Sequence, residues 1–112
     1  MSRKEKIQNI LEIFHHMRKY PGMYFSTVTQ ADQFLRGFLI ASQICLDLPS
    51  DTRHRATVTT ERGWTWTSVN PWNEMRDQGL DEAAIIDEIL AIEIEVWQRA
   101  YADLDDDSPE ET

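Results

Sequence analysis

Over residues 4–18, Ile7, Ile10, Leu11, Phe14 and Met17 recur at the i, i+3, i+4, i+7 spacing of one helical stripe, which Ile13 widens. Lys4, Gln8, Glu12, His15 and Lys19 lie mostly off it. Ser2 and Glu5 stand three apart ahead of the run, the spacing of a capping box. Tyr20-Pro21-Gly22-Met23 predicts a type II turn, with proline fixing φ and Gly22 supplying a positive φ. Tyr20, Met23, Tyr24 and Phe25 are expected to pack that turn onto the core. A second helix is predicted over 30–47, capped by Thr29. Its expected buried stripe is Phe34, Leu35, Phe38, Ala41, Cys45 and Leu48. Gly37 weakens this helix and leaves room for a close neighbour; Pro49 ends it.

The period then changes. Across 54–69, Ala56, Val58 and Thr60 alternate with Arg55, Thr57 and Thr59, and Trp64 and Trp66 alternate with Thr65 and Thr67. With Glu61-Arg62-Gly63 between the two runs, this predicts a β-hairpin. A lone hairpin is unstable in water, so it must lie on the helices through the Trp64/Trp66 face. Asn70-Pro71 opens a short helix that Gly79 closes. Asp81 and Glu82 begin a last helix to about 102. Within it, Leu90, Ile92, Ile94 and Val96 alternate with Ala91, Glu93, Glu95 and Trp97, which is also a strand pattern. Length, alanines and the acidic start favour helix.

The expected fold class is therefore α+β, mainly helical: four helices with one β-hairpin packed on them. Residues 1–104 are expected to form a single globular domain, with 105–112 a disordered acidic tail.

The apolar runs fall short of the ~20 residues that span a bilayer, and no secretion signal follows the basic start, so a cytoplasmic protein without membrane attachment is expected. Cys45 is the only cysteine and is read as a buried, inert thiol. Charge changes the picture more. Residues 1–73 carry nine Lys/Arg and six Asp/Glu, whereas 74–112 carry two against fourteen, a net of −12 within a chain of −9. Such a chain is poorly suited to a nucleic-acid backbone, so direct nucleic-acid binding is not expected. It suits a protein partner with a basic surface.

No residue set for catalysis stands out. His15 and His16 point about 100° apart on a helix, and His54 is distant in sequence, so no metal site is expected. The pairs Asp81/Glu82, Asp87/Glu88 and Glu93/Glu95 read as a solvated acidic face. No nucleophile motif or phosphate loop occurs, and no cofactor is expected. The partner-binding candidates are Trp72, Asp87, Glu88, Glu95, Asp103, Asp105, Asp106 and Asp107. Of the four tryptophans, Trp72 is the candidate anchor, and core use is expected for the rest. An alternative reading gives Arg53, Arg55, Arg62, Trp64 and Trp66 to a small nucleotide-like ligand. A further alternative is mimicry of nucleic acid by the acidic helix. Ile92 and Ile94 lie off the main stripe of the last helix, a surplus that suits a homodimer contact or a tighter core.

The segment Arg18-Lys19-Tyr20-Pro21-Gly22-Met23-Tyr24-Phe25-Ser26 resembles one near the start of the ATPase domain of type II topoisomerases. There an Arg-Pro-Gly-Met-Tyr run precedes a helix carrying the glutamate and asparagine that serve ATP and magnesium. Here Leu39, Ile40, Ser42 and Gln43 stand where that acid and amide are wanted, and the glycine-rich lid is missing, so ATPase activity does not carry over. Over about the first 45 residues the chain also resembles small bacterial proteins of unassigned role that begin Arg-Pro-Gly-Met-Tyr-Leu-Gly. Tyr20 replaces their arginine and Ser26 their glycine. That resemblance implies an immunity protein or inhibitor; the acidic C-terminal third, the absence of catalytic sets and the small size lead to the expectation of a non-enzymatic one that binds a basic protein target.

Overall fold

The computed structural model describes residues 2–45, 52–65 and 71–104. They form five α-helices: α1 (Arg3–Lys19), α2 (Val28–Cys45), α3 (Thr52–Glu61), α4 (Trp72–Asp77) and α5 (Glu82–Asp103), with a short 3-10 turn at Pro21–Met23. No strand occurs among the described residues, so the fold is all-helical, not α+β with a hairpin.

The first helix forms as its sequence dictates. The Ser2 hydroxyl accepts from the Glu5 amide while the Glu5 carboxylate accepts from the Ser2 amide, a complete capping box. Ile7, Ile10, Phe14 and Met17 are buried, and Ile13 stays out in solvent. The turn that follows departs from expectation. Pro21-Gly22-Met23 coils into 3-10 geometry and Gly22 takes no positive φ. So short a turn buries only Phe25; Tyr20, Met23 and Tyr24 remain exposed.

The cap of α2 is Thr27, whose hydroxyl accepts from the Gln30 amide, so the helix starts two residues before the Thr29 expectation. Its buried face is Val28, Ala31, Leu35 and Ser42, with Phe38 and Leu39 partly covered. Phe34 and Ala41 face outward, and Cys45 is exposed where a buried thiol was expected. Nothing approaches Gly37 closely. Leu48 lies outside the described residues.

The correction at α3 has a clear physical cause. The alternation of Ala56, Val58 and Thr60 with their neighbours is real, yet Arg55, Val58, Thr59 and Arg62 also fall at i, i+3, i+4, i+7, one face of a helix. That face meets α5, where Val58 and Thr59 are buried and both arginines find carboxylates. Tertiary ion pairing overrides a local preference for strand. Glu61-Arg62-Gly63 is a helix stop, not a hairpin loop. Gly63 has φ +93°, its amide donates to the Thr60 carbonyl and the Trp64 amide to that of Thr59, the two bonds of a Schellman motif.

Gly79 ends α4 in the same way, at φ +97°, with its amide on Arg76 and that of Leu80 on Met75. An L side chain is strained there. Gly79→Ala is expected to lower stability by about 1–3 kcal/mol in urea denaturation.

Asp81 caps α5, accepting from the Ala84 amide. This helix is the axis of the fold, with α1, α2, α3 and α4 all packed on it. Every residue from Ile89 to Ile94 is buried. Apolar residues on every side of the helix there, which also happen to fit a strand period, suit a segment enclosed all round. Ile92 and Ile94, the surplus over the main stripe, fill this core. Phe14, Phe38 and Trp97 close it with edge-on ring contacts at 5.3 and 6.0 Å.

Candidate functional site

The acids of α5 were expected to form one solvated face. The structure divides them. Glu93 is buried, and both its oxygens accept from the Arg55 guanidinium, at 2.7 Å from Nε and 2.9 Å from Nη2. Glu88 takes a second bidentate pair from Arg62, at 2.8 and 2.7 Å, and a third donor from the Trp64 indole at 2.8 Å. Glu95 lies 3.7 Å from Arg62 and 3.8 Å from Arg99. Asp103 meets His54, and Glu61 meets Arg99. The basic side of α3 and its stop is thus seated along acidic positions of α5.

The electrostatics follow from these contacts. Arg62 holds the Glu88 carboxyl below its ordinary value of 4.5; partial burial opposes this, and the Trp64 donor reinforces it. Hydrogen bonding to Glu88 raises Arg62 in turn. A carboxylate whose folded pKa is depressed stabilises the fold fully above its unfolded value and loses that contribution as pH falls through the folded value. Thermal midpoints should therefore fall below pH 4.5, with a shallower slope in Glu88→Gln than in the parent chain.

The guanidinium forks of Arg55 and Arg62, candidates for a small anionic ligand, already point at Glu93 and Glu88. Arg53 belongs to the α3 backbone span, and Trp66 lies outside the described residues. Trp72, the expected anchor, is half-buried against the core with its indole donating to Asp32 at 3.1 Å. Trp97 is in the core, and its Nε1 has no hydrogen-bond partner there. Asp87 is half-exposed and bridges Arg18 through two bonds of 3.0 and 3.3 Å. Asp105, Asp106 and Asp107 lie outside the described residues. Among the described residues no group of three or more His, Cys, Asp or Glu is placed to hold a metal ion. No helix among them is long and apolar enough to cross a membrane.

A surface missed by sequence reasoning lies at the Pro21–Met23 turn. Met23 is 72% exposed, and Tyr20, Tyr24 and Phe34 are also exposed. Ring contacts run from Tyr20 through His16 and Tyr24 to Phe25 and Phe34, joining this surface to the core at Phe38. The bridge from Arg18 to Asp87 ties the end of α1, from which this turn leaves, to α5. The available signal was length: four large side chains crowd around a three-residue turn, too few to bury them all.

No family model matches the chain, and neither the curated proteins nor the solved structures contain a significant match.

Proposed function

We propose that this chain is a non-enzymatic binding protein of inhibitor or immunity type that acts on a protein target with a basic surface. The observation that carries the reading is the exposed corner of Tyr20, Met23 and Tyr24, which follows closely on Arg18, the partner of Asp87, in a chain of net charge −9. Exposed aromatic and methionine side chains serve as anchors, and a charged rim steers the encounter. Glu88 and Glu93 are too covered to meet a partner, so the docking acids are the more exposed Asp87, Glu95 and Asp103, whose own ion pairs at the surface a partner would have to share, with Asp105, Asp106 and Asp107 following in sequence.

The two parts have different tasks. Leu104 lies about 25 Å along the α5 axis from Asp87 at 1.5 Å per residue. Asp103, one residue earlier, therefore acts on approach, through the long-range field, while the corner acts on contact.

Affinity capture from native extract tests the reading. A specific target should be retained by the parent chain, released as salt rises past about 0.5 M, and lost on Met23→Ala/Tyr24→Ala, whose exposed positions leave the fold intact. Retention of the same proteins by that variant, unaffected by salt, would count against it.

A further inference from the structure

Helix α3 differs from its neighbours in how it is held. Thr52–Glu61 contains four threonines and a valine, and Thr57-Val58-Thr59-Thr60 is β-branched throughout, a poor helix former. Of its described side chains only Val58 and Thr59 are buried, and Val58 alone joins the apolar core cluster. Just past the helix, Trp64 is partly buried against that cluster and donates to Glu88; the other links described are polar: Arg55 to Glu93, Arg62 to Glu88, His54 to Asp103, and Glu61 to Arg99. By contrast α1 is joined to the core by Ile7, Ile10, Phe14 and Met17. Removing α3 would strip one aliphatic side chain from the core and return its carboxylates to water. A buried ion pair gains little net over its separated, solvated partners, because desolvation offsets attraction.

We infer that α3 is a releasable strap. It is helical only while its arginines rest on Glu88 and Glu93, and it opens as one unit while the packing of α1 and α2 on α5 persists. A basic partner that takes those carboxylates displaces it. This last step rests on the reading that the target is basic; the local opening does not. Displacement would turn an internally neutralised face into an acidic one, so the charge offered to the target would grow as binding proceeds.

Native-state hydrogen exchange on the full chain tests the opening. Amides of 52–61 should exchange at least about 100-fold faster than those of 85–97, through an opening that barely responds to low denaturant. Arg62→Gln should speed exchange in α3 alone. Equal protection in α3 and α5, lost together in one global transition, would overturn the strap. A synthetic peptide of residues 52–64, isotopically distinct from the chain, tests displacement. In excess it should accelerate exchange of the chain's own α3, and its counterpart with glutamine at Arg55 and Arg62 should not. If both peptides act alike, or neither acts, displacement by a basic partner is wrong. Neither arm uses the target, so failure here is distinct from failure of salt-sensitive capture.

Discussion

Phe14→Ala should destabilise the fold by about 3–5 kcal/mol, the range for deleting a buried phenylalanine. Phe14 is 1% exposed and meets Phe38 edge-on at a centroid distance of 5.3 Å, so its loss empties the seam between α1 and α2. With total stabilities of small domains at about 5–15 kcal/mol, this one change consumes a large share. At roughly 4–8 °C per kcal/mol for a domain of this size, the melting midpoint should fall by tens of degrees. Urea denaturation followed by far-ultraviolet circular dichroism reads the change directly. Ile44→Ala is the control: Ile44 is 77% exposed, and its truncation should move stability by less than about 0.5 kcal/mol. If the two variants behave alike, the assignment of the α1 core face is wrong.

The second large effect concerns the Arg55–Glu93 pair. Breaking a buried ion pair from one side costs about 3–5 kcal/mol when the orphaned charge stays trapped. Arg55 and Glu93 side chains are 12% and 5% exposed, deep enough for that penalty. On Glu93→Leu, Arg55 can escape by leaving with α3. The expected result is therefore loss of α3 helicity and of amide protection over 52–61, while the cooperative melting of the remaining core persists at a lower midpoint. The double change Arg55→Met/Glu93→Leu removes both charges and restores an apolar contact, so α3 should return to α5. Persistence of a protected α3 in the single variant would show that the helix does not depend on the Arg55–Glu93 pair, against the strap.

Elements with a clean helical period were legible in the sequence. The Ser2/Glu5 box, the Ile7–Met17 stripe, the Gly79 stop and the Asp81 cap all appear where local chemistry puts them. The failures share a cause, which is that the deciding partner is remote in sequence. Residues 54–62 satisfy both a strand and a helix period, and the choice is made by carboxylates 26 and 38 positions away. On α2, Ala41 and Cys45 fit the helical stripe yet are exposed, because a period marks a face and not how far the core extends along it. Likewise, the acids of α5 looked like a solvated surface because nothing local indicates that Arg55 and Arg62 will cover two of them. For the candidate site, charge segregation was visible in the sequence, but the exposed corner at Tyr20, Met23 and Tyr24 required the geometry of the turn.

The order of the elements has a consequence for biosynthesis. The axial helix α5 is translated after every helix that packs on it. At about 5–20 residues per second, several seconds separate the emergence of Met17 from that of Ile85. Throughout that interval Ile7, Ile10 and Phe14 have no α5 surface to cover them. The nascent chain is then a sticky intermediate, suited to chaperone capture at the ribosome exit and prone to aggregation if translation stalls before α5 emerges.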